Sequence, residues 1–567
     1  VYNGRKFGES FENQKEKSMK VNAIKFVSAS ILIASVFSIA RSQPAKSTAS
    51  PSPSPTQSPA AVALPTPPPE QKAYDEARRI KEPEKKIEAL EKVIKDFQGF
   101  VVMQARNEVL DTLIKNFPTQ TDRIRAAAER YLQPVPGFFI TGPPPQLTVA
   151  SKLMEAGILL DWAEELTKKG QVQFEEDNAK ALRRQRARYL DTLGRIYLKQ
   201  GKTKEAEKNL KLALVNEPDT PTSLIALGQI AAAKKDNKSA LEYFTSAAVK
   251  MPLKKPDKQL METAYRATHN DSLTGLEDLL DSKYRKLNAG LHFDHYQAST
   301  KRTSRTALAE LFTGSGCGPC VAADLGFDGL LERYKRQDLV VLIYHLHIPL
   351  PDPMTNPATV DRGKYYGVPG TPTPVVDGFR MPSSGGSREM TKGFYDRVNP
   401  KIESELESPA QAQIAVTGAI AGDIVKANVV VDQIKTPSPD LKLQIALTED
   451  EVRYTGENGV RFHPMVVRSL GGKEANGFGL SGSGPTTIEW TFDLKAMSDQ
   501  LKKYLDGYEQ QGHRGDPFTF LDKKYQIDPN NLSLVAFVQD MKTKQVLQTV
   551  YLKLSPAATA SATAAVQ

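Results

Sequence analysis

TALAELFTGSGCGPCVAADLGFDGLLERYKRQDLVVLIYHLHI, residues 306–348, is the stretch on which the fold of this chain turns. TALAELFT (306–313) is a short β-type run, and Gly314, Ser315 and Gly316 break it. Residues 317–334 have the character of a helix that opens on Cys317 and Cys320, and DLVVLIYHLHI (338–348) reads as a buried strand. These two cysteines are the only ones in 567 residues, which excludes a disulfide-stapled scaffold and a four-cysteine zinc site. Cysteines three apart at a helix start lie on one face, within reach of a disulfide, and the first sits at the positive end of the helix dipole. Dipole and free amides lower the pKa of the Cys317 thiol and so favour thiolate, the attacking species.

Further on, YYGVPGTPTPVVDG (365–378) is a loop running into another strand. A strand, a CGPC pair opening a helix, a second strand and a Pro-rich loop together resemble the thioredoxin family, over residues 291–400. The resemblance implies an α/β domain that performs thiol–disulfide exchange with no cofactor beyond its own dithiol and no metal. Cys317 would attack a substrate disulfide and Cys320 would resolve the mixed disulfide. Gly318 and Pro319 would hold the turn. Thr371 and Pro372 would pair with the substrate backbone, with Pro372 in the cis-proline position. CGPC resembles the reducing end of the family, about −270 mV, so a protein-disulfide reductase is expected.

The match has departures. The family's Trp before the first cysteine is here Gly316, and its buried acid falls on Leu311. Glu310 is adjacent, but strand alternation turns it to the other face, which leaves the proton relay for Cys320 unassigned. His345 and His347 share one strand face and are expected to be structural or exposed, with a relay or metal-ligand role as the alternative.

Upstream, residues 71–290 have helical periodicity. Leu190, Leu193, Gly194, Tyr197, Ala206, Leu210, Ala213 and Pro218 recur 34 positions later as Leu224, Leu227, Gly228, Ala231, Ala240, Phe244, Ala247 and Pro252. The Gly and Ala positions would let two helices approach and the large residues fill the gap. The units 187–220 and 221–254 resemble tetratricopeptide repeats, which implies an all-α array that binds protein partners. Stretches 85–97 and 151–166 read as degenerate or capping members.

Downstream, QIAVTGAI, IVKANVVVD, LKLQIALTE, VRFHPMVVRSL, TTIEWTFDL, LSLVAFVQD and QVLQTVYLKL are short runs separated by Pro, Gly, Asn and Asp. They predict an all-β sandwich over 401–555, an accessory interaction domain with a partly helical insertion at 494–530. Trp490 is expected in its core, and His463 lacks neighbours that would complete a site.

The ends of the chain point to export. Met19, Lys20, Lys25 and the uncharged run Phe26–Ala40 read as a signal peptide over 19–42, with 1–18 an upstream extension. No cysteine lies near the cleavage region, so a lipoprotein is not expected. Residues 43–70 hold a Pro/Ser-rich linker and 556–567 a disordered tail. With 40% apolar and 25% charged residues, and a net charge of +9 without a long basic run, the composition is that of globular protein and not of a nucleic-acid binder. The whole reads as an exported periplasmic or extracellular thiol–disulfide oxidoreductase. Its expected partners are protein thiols or disulfides, proteins on the repeats and a membrane electron donor. The other readings are an envelope adaptor with a non-catalytic thioredoxin fold and a metal-delivery thiol protein.

Overall fold

The computed structural model of the protein describes residues 68–136, 144–177, 183–382, 385–472, 477–480, 484–513, 517–555 and 562–566. The expected extension 1–18, the signal peptide 19–42 and the linker up to residue 67 lie outside them. Among the described residues no helix is long and apolar enough to cross a membrane.

The N-terminal region is all helical: α1 (Pro69–Arg78), α2 (Pro83–Asp96), α3 (Phe100–Asn116), α4 (Thr121–Leu132), α5 (Pro145–Ala156), α6 (Leu160–Asp177), α7 (Arg183–Lys199), α8 (Thr203–Asn216), α9 (Pro221–Ala233), α10 (Asn237–Ala248), α11 (Lys255–Thr268) and α12 (Leu276–Leu287). Helix α1 starts inside the expected linker, because Pro69 fits a first helical position where its missing N–H costs nothing. The two 34-residue units are the pairs α7/α8 and α9/α10. A Cβ on Gly194 would stand 2.6 Å from Leu210 Cγ, and one on Gly228 2.9 Å from the Phe244 ring. The bare glycines thus let each pair close around a large buried side chain. The stretch 85–97 is most of α2, whereas 151–166 is a corner: α5 ends at Gly157 in the left-handed conformation and α6 follows.

The central mixed α/β region contains β1 (Ala307–Thr313), α13 (Val321–Arg333), β2 (Leu339–His345), α14 (Pro357–Tyr366), β3 (Thr373–Val376), β4 (Phe379–Arg380) and α15 (Thr391–Leu406). Strand β1 pairs parallel with β2 and antiparallel with β3, which forms a hairpin with β4. Both β1 and β2 are buried along their full length, which is why they read as continuous apolar runs. The expected boundary at 400/401 moves. Helix α15 continues through Pro400 to Leu406 because Phe394, Val398, Ile402 and Leu406, spaced by four, form one buried stripe on the central core.

The C-terminal region is β-rich: β5 (Gln413–Ala421), β6 (Ile424–Asp432), β7 (Leu441–Arg453), β8 (Phe462–Leu470), β9 (Phe478–Gly479), β10 (Thr486–Asp493), β11 (Leu532–Asp540), β12 (Val546–Lys553) and β13 (Ala562–Val566), with helix α16 (Leu494–Gln511) in the insertion. One sheet has the order β10-β6-β5-β13. The other is not separate from the central region: its order is β12-β11-β7-β8-β2-β1-β3-β4, with β9 on β7. Strand β8 joins β2 in parallel through Ile343 and Val466. The two sheets face each other over Val416, Val429, Ile445, Leu534 and Leu552. Residues 562–566 lie within the expected disordered tail, yet they pair antiparallel with β5, whose outer edge offers unpaired backbone groups. Trp490 is half-buried against this core, edge-on to Phe478.

Candidate redox site

Strand β1 ends at Thr313 and the chain turns through Gly314–Gly316 into a 3-10 turn, Gly318–Cys320, that feeds α13. Cys317 is the N-cap residue of that turn, and the Cys320 amide donates to its carbonyl at 3.0 Å. The two cysteines form a disulfide with Cα atoms 5.2 Å apart. Gly318 and Pro319 are exposed, but Cys317 and Cys320 are only 1% and 0% exposed. From the other side comes the loop before β3. Its Thr371 carbonyl oxygen lies 3.6 Å from Cys317 Sγ, and the Thr371–Pro372 peptide is cis.

Attack on a client disulfide calls for an accessible Cys317, yet three segments converge on the turn. Leu350 packs on Gly316, where a Cβ would stand 2.8 Å from Leu350 Cβ, so this side chain occupies the ground that an aromatic residue at position 316 would need. Gly386 donates its amide to the Pro319 carbonyl at 2.6 Å and accepts from the Ala322 amide. Asn458, from the loop between β7 and β8, donates its side-chain amide to the Cys317 carbonyl at 3.3 Å.

Behind the cysteines lies a group of buried acids and histidines. Asp324 stands four residues after Cys320, on the same face of α13. It accepts a 2.7 Å hydrogen bond from the Thr313 hydroxyl. Burial pushes its carboxyl up to about 7, against the pull of Thr313 and His345. Asp328, one turn further, is pushed up to about 8 by burial and then by Asp324 and Glu451. His345 Nδ1 lies 2.9 Å from Asp352 Oδ2, which also accepts from the Ser315 amide at 2.6 Å. Burial works against the Asp352 carboxylate, but His345 and the amides of Ser315 and Met354 hold it well below the usual range. Asp352 therefore fixes both the end of β2 and the turn that carries Cys317.

His347 does not project with His345 into a shared ligand set. Its Nδ1 accepts from the Asp352 amide, Tyr508 of α16 stacks on its ring at 3.6 Å, and burial pushes it down to about 4. His463 is buried with Nε2 2.9 Å from the Tyr454 carbonyl oxygen, and burial, then His345, pushes it down to about 3. Among the described residues no group of three or more His, Cys, Asp or Glu is placed to hold a metal ion. What the site holds is a redox-capable cysteine pair, Cys317 and Cys320. Glu310 points away from it, as strand alternation requires, into a buried cluster with Arg362 at 2.8 Å and the Tyr366 hydroxyl at 2.6 Å.

Sequence reasoning missed Asp324, Asp352, Leu350 and Asn458. The four-residue step from Cys320 to Asp324 was there to be read; the other three reach the turn only through the tertiary fold.

No protein-family model matches this chain, and no curated protein matches it. Among solved structures, HBP35 of Porphyromonas gingivalis is similar at 15% identity and TM-score 0.33, over 45% of this chain and 78% of that one. PilF of Pseudomonas aeruginosa is similar at 13% identity and TM-score 0.26, over 39% of this chain and 99% of the other. Likenesses at these scores carry no argument, so the functional reading stands on the site itself.

Proposed function

We propose that the protein is a thiol–disulfide oxidoreductase of thioredoxin type, working as a protein-disulfide reductase outside the cytoplasm. The observation that carries this reading is the Cys317–Cys320 disulfide at the start of α13 with the Thr371 carbonyl beside Cys317. In the reduced protein, Cys317 thiolate attacks one sulfur of a client disulfide, forms a mixed disulfide and releases the other client sulfur as a thiol. Cys320 thiolate then attacks Cys317 Sγ, which restores the protein disulfide and frees the second client thiol. Two electrons and two protons pass to the client in each cycle, and an external dithiol recharges the pair. The helical repeats supply a surface for protein partners, and the signal-like segment 19–42 is the reason to place the reaction in an exported protein.

Insulin-disulfide reduction with dithiothreitol as donor tests the reading. Cys317→Ser should abolish turnover, and Cys320→Ser should accumulate covalent complexes through Cys317. Full turnover by Cys320→Ser would overturn the assigned roles. A second reading, an adaptor whose thioredoxin-type fold only docks partners, is favoured by the near-complete burial of both sulfurs. It predicts no turnover by the wild-type protein in the same assay.

A further inference from the structure

Cys317 and Cys320 are almost fully buried, and the loop between β7 and β8, residues 454–461, lies on the turn that carries them. The loop closes on itself: the Gly456 amide donates to the Val460 carbonyl at 2.8 Å, and the Gly459 amide to the Gly456 carbonyl at 2.9 Å. The Asn458 side-chain oxygen accepts from the Val460 amide at 3.0 Å, which aims the other end of that side chain at the turn. There the Asn458 backbone amide donates to the Ser315 carbonyl at 3.0 Å, and its side-chain amide to the carbonyls of Gly314 at 3.4 Å and Cys317 at 3.3 Å. A Cβ on Gly456 would collide with the Ser315 carbonyl oxygen, so loop and turn meet backbone to backbone. On the far side of the pair, Val460 shares a buried apolar cluster with Leu325 and with Val321, the residue after Cys320.

The helical region grips the same loop at its base. Arg453, the last residue of β7, and Arg461, just before β8, both pair with Asp281 of α12, at 2.6 and 2.7 Å. The Arg461 and Asp281 side chains are only 5% and 4% exposed, so salt screens this pair little and loss of one partner leaves a buried charge uncompensated. Arg461 also donates to Glu277 of α12 at 2.5 Å and to the Thr455 hydroxyl inside the loop at 3.0 Å. The Phe462 ring stands edge-on to Tyr284 of α12. Near the tip, a Cβ on Gly459 would lie 2.6 Å from the Lys250 carbonyl oxygen, at the end of the second 34-residue unit. One short loop thus spans from α12 to the carbonyl of Cys317.

We infer that the β7–β8 loop is a strap that closes the Cys317–Cys320 pair, and that the Asp281 clamp on α12 sets how readily it lifts. Its two ends are held unequally. At the turn the hold is a few hydrogen bonds, each of modest net strength because water can replace it; at α12 it is a buried charge with two guanidinium partners. Lifting therefore starts at Asn458, and the clamp limits how far it goes. Access to the redox pair is in this way governed from the helical region. The inference goes beyond the thiol–disulfide reading, since it concerns access to the sulfurs whichever reaction follows.

Access is read on the full oxidised chain as the rate at which dithiothreitol opens the disulfide, followed by alkylating the freed thiols and measuring the mass. In that step dithiothreitol gives up two electrons and two protons and becomes a cyclic disulfide, while Cys317 and Cys320 become thiols. Asn458→Ala removes the side-chain bonds to the turn, and Gly456→Ala sets a methyl group against the Ser315 carbonyl without removing any group; each should speed opening about tenfold. Asp281→Asn, which keeps the size of the side chain and removes its charge, should speed it severalfold. Because lifting exposes few residues, the rates should rise only slightly with urea below the unfolding transition. Wild-type rates in both loop variants or in Asp281→Asn would overturn the inference, as would a urea dependence as steep as that of global unfolding. The expected rates without any turnover of insulin would instead remove the reductase reading and leave the strap assigned.

Discussion

Burial holds the Asp324 carboxyl at about 7, so near neutral pH it exchanges a proton readily, and it shares a helix face with Cys320. In the proposed exchange reaction it would take the proton that Cys320 loses before it attacks the mixed disulfide. Asp324→Asn keeps the acceptor for Thr313 but cannot take a proton. It should slow the resolving step about 100-fold and remove a titration near pH 7 from that step, as read by stopped-flow release of client thiol. Initial attack by Cys317 should be unaffected. The same substitution has an opposite effect on stability. The folded pKa is raised above the unfolded value, so the folded state binds more protons, and the carboxyl costs stability increasingly as pH climbs from about 4 to 7. The gain in Tm from Asp324→Asn should therefore grow across that window and level off above it; a gain that shrank with rising pH would contradict the assignment.

At the scale of elements, one residue type acts with opposite signs in two helices. Gly228 in α9 faces the fully buried Phe244 ring, while around Gly507 in α16 a Cβ would meet nothing within 4 Å. Gly228→Val should destabilise the helical region by about 1–3 kcal/mol through overpacking. Gly507→Ala should stabilise by about 0.5–1 kcal/mol, since it relieves only the entropic cost of glycine in a helix. Thermal unfolding followed by circular dichroism separates the two. Periodicity made these elements legible: the seven β-type runs after residue 400 correspond to β5, β6, β7, β8, β10, β11 and β12, and both 34-residue units are helix pairs. The segment 562–566 was not legible, because a short Ala-rich run becomes a strand only where a neighbouring edge is free to pair with it.

Across the whole molecule, the central and C-terminal regions share one sheet and one core. Val535, Phe537 and Val546 of the C-terminal strands pack with Phe312, Tyr344 and Phe394. Two buried polar groups cross the same junction. Arg305 bonds Asp377 at 2.7 Å and the Val546 carbonyl of β12 at 2.7 Å, and Arg362 joins Glu310 to Gln539 of β11. A chain ended after Leu406 would expose the β2 edge and leave these charges buried without all their partners. It should be insoluble or lack a cooperative thermal transition, whereas residues 291–555 expressed together should unfold cooperatively. A soluble 291–406 fragment with a sharp transition would show the central region to be independent.

The sequence by itself determined what depends on local spacing: the cysteine pair at a helix start, the alternation that sends Glu310 away from it, the 34-residue helical units and the β-rich C-terminal region. Only the tertiary structure decided that β8 extends the central sheet, that Leu350, Gly386 and Asn458 close around the redox turn, and that the β7–β8 loop joins this turn to α12. The physical reason is the range of the forces involved. Helix and strand periods follow from backbone geometry over a few residues, whereas which strand meets which edge depends on burying apolar surface contributed from more than a hundred positions away.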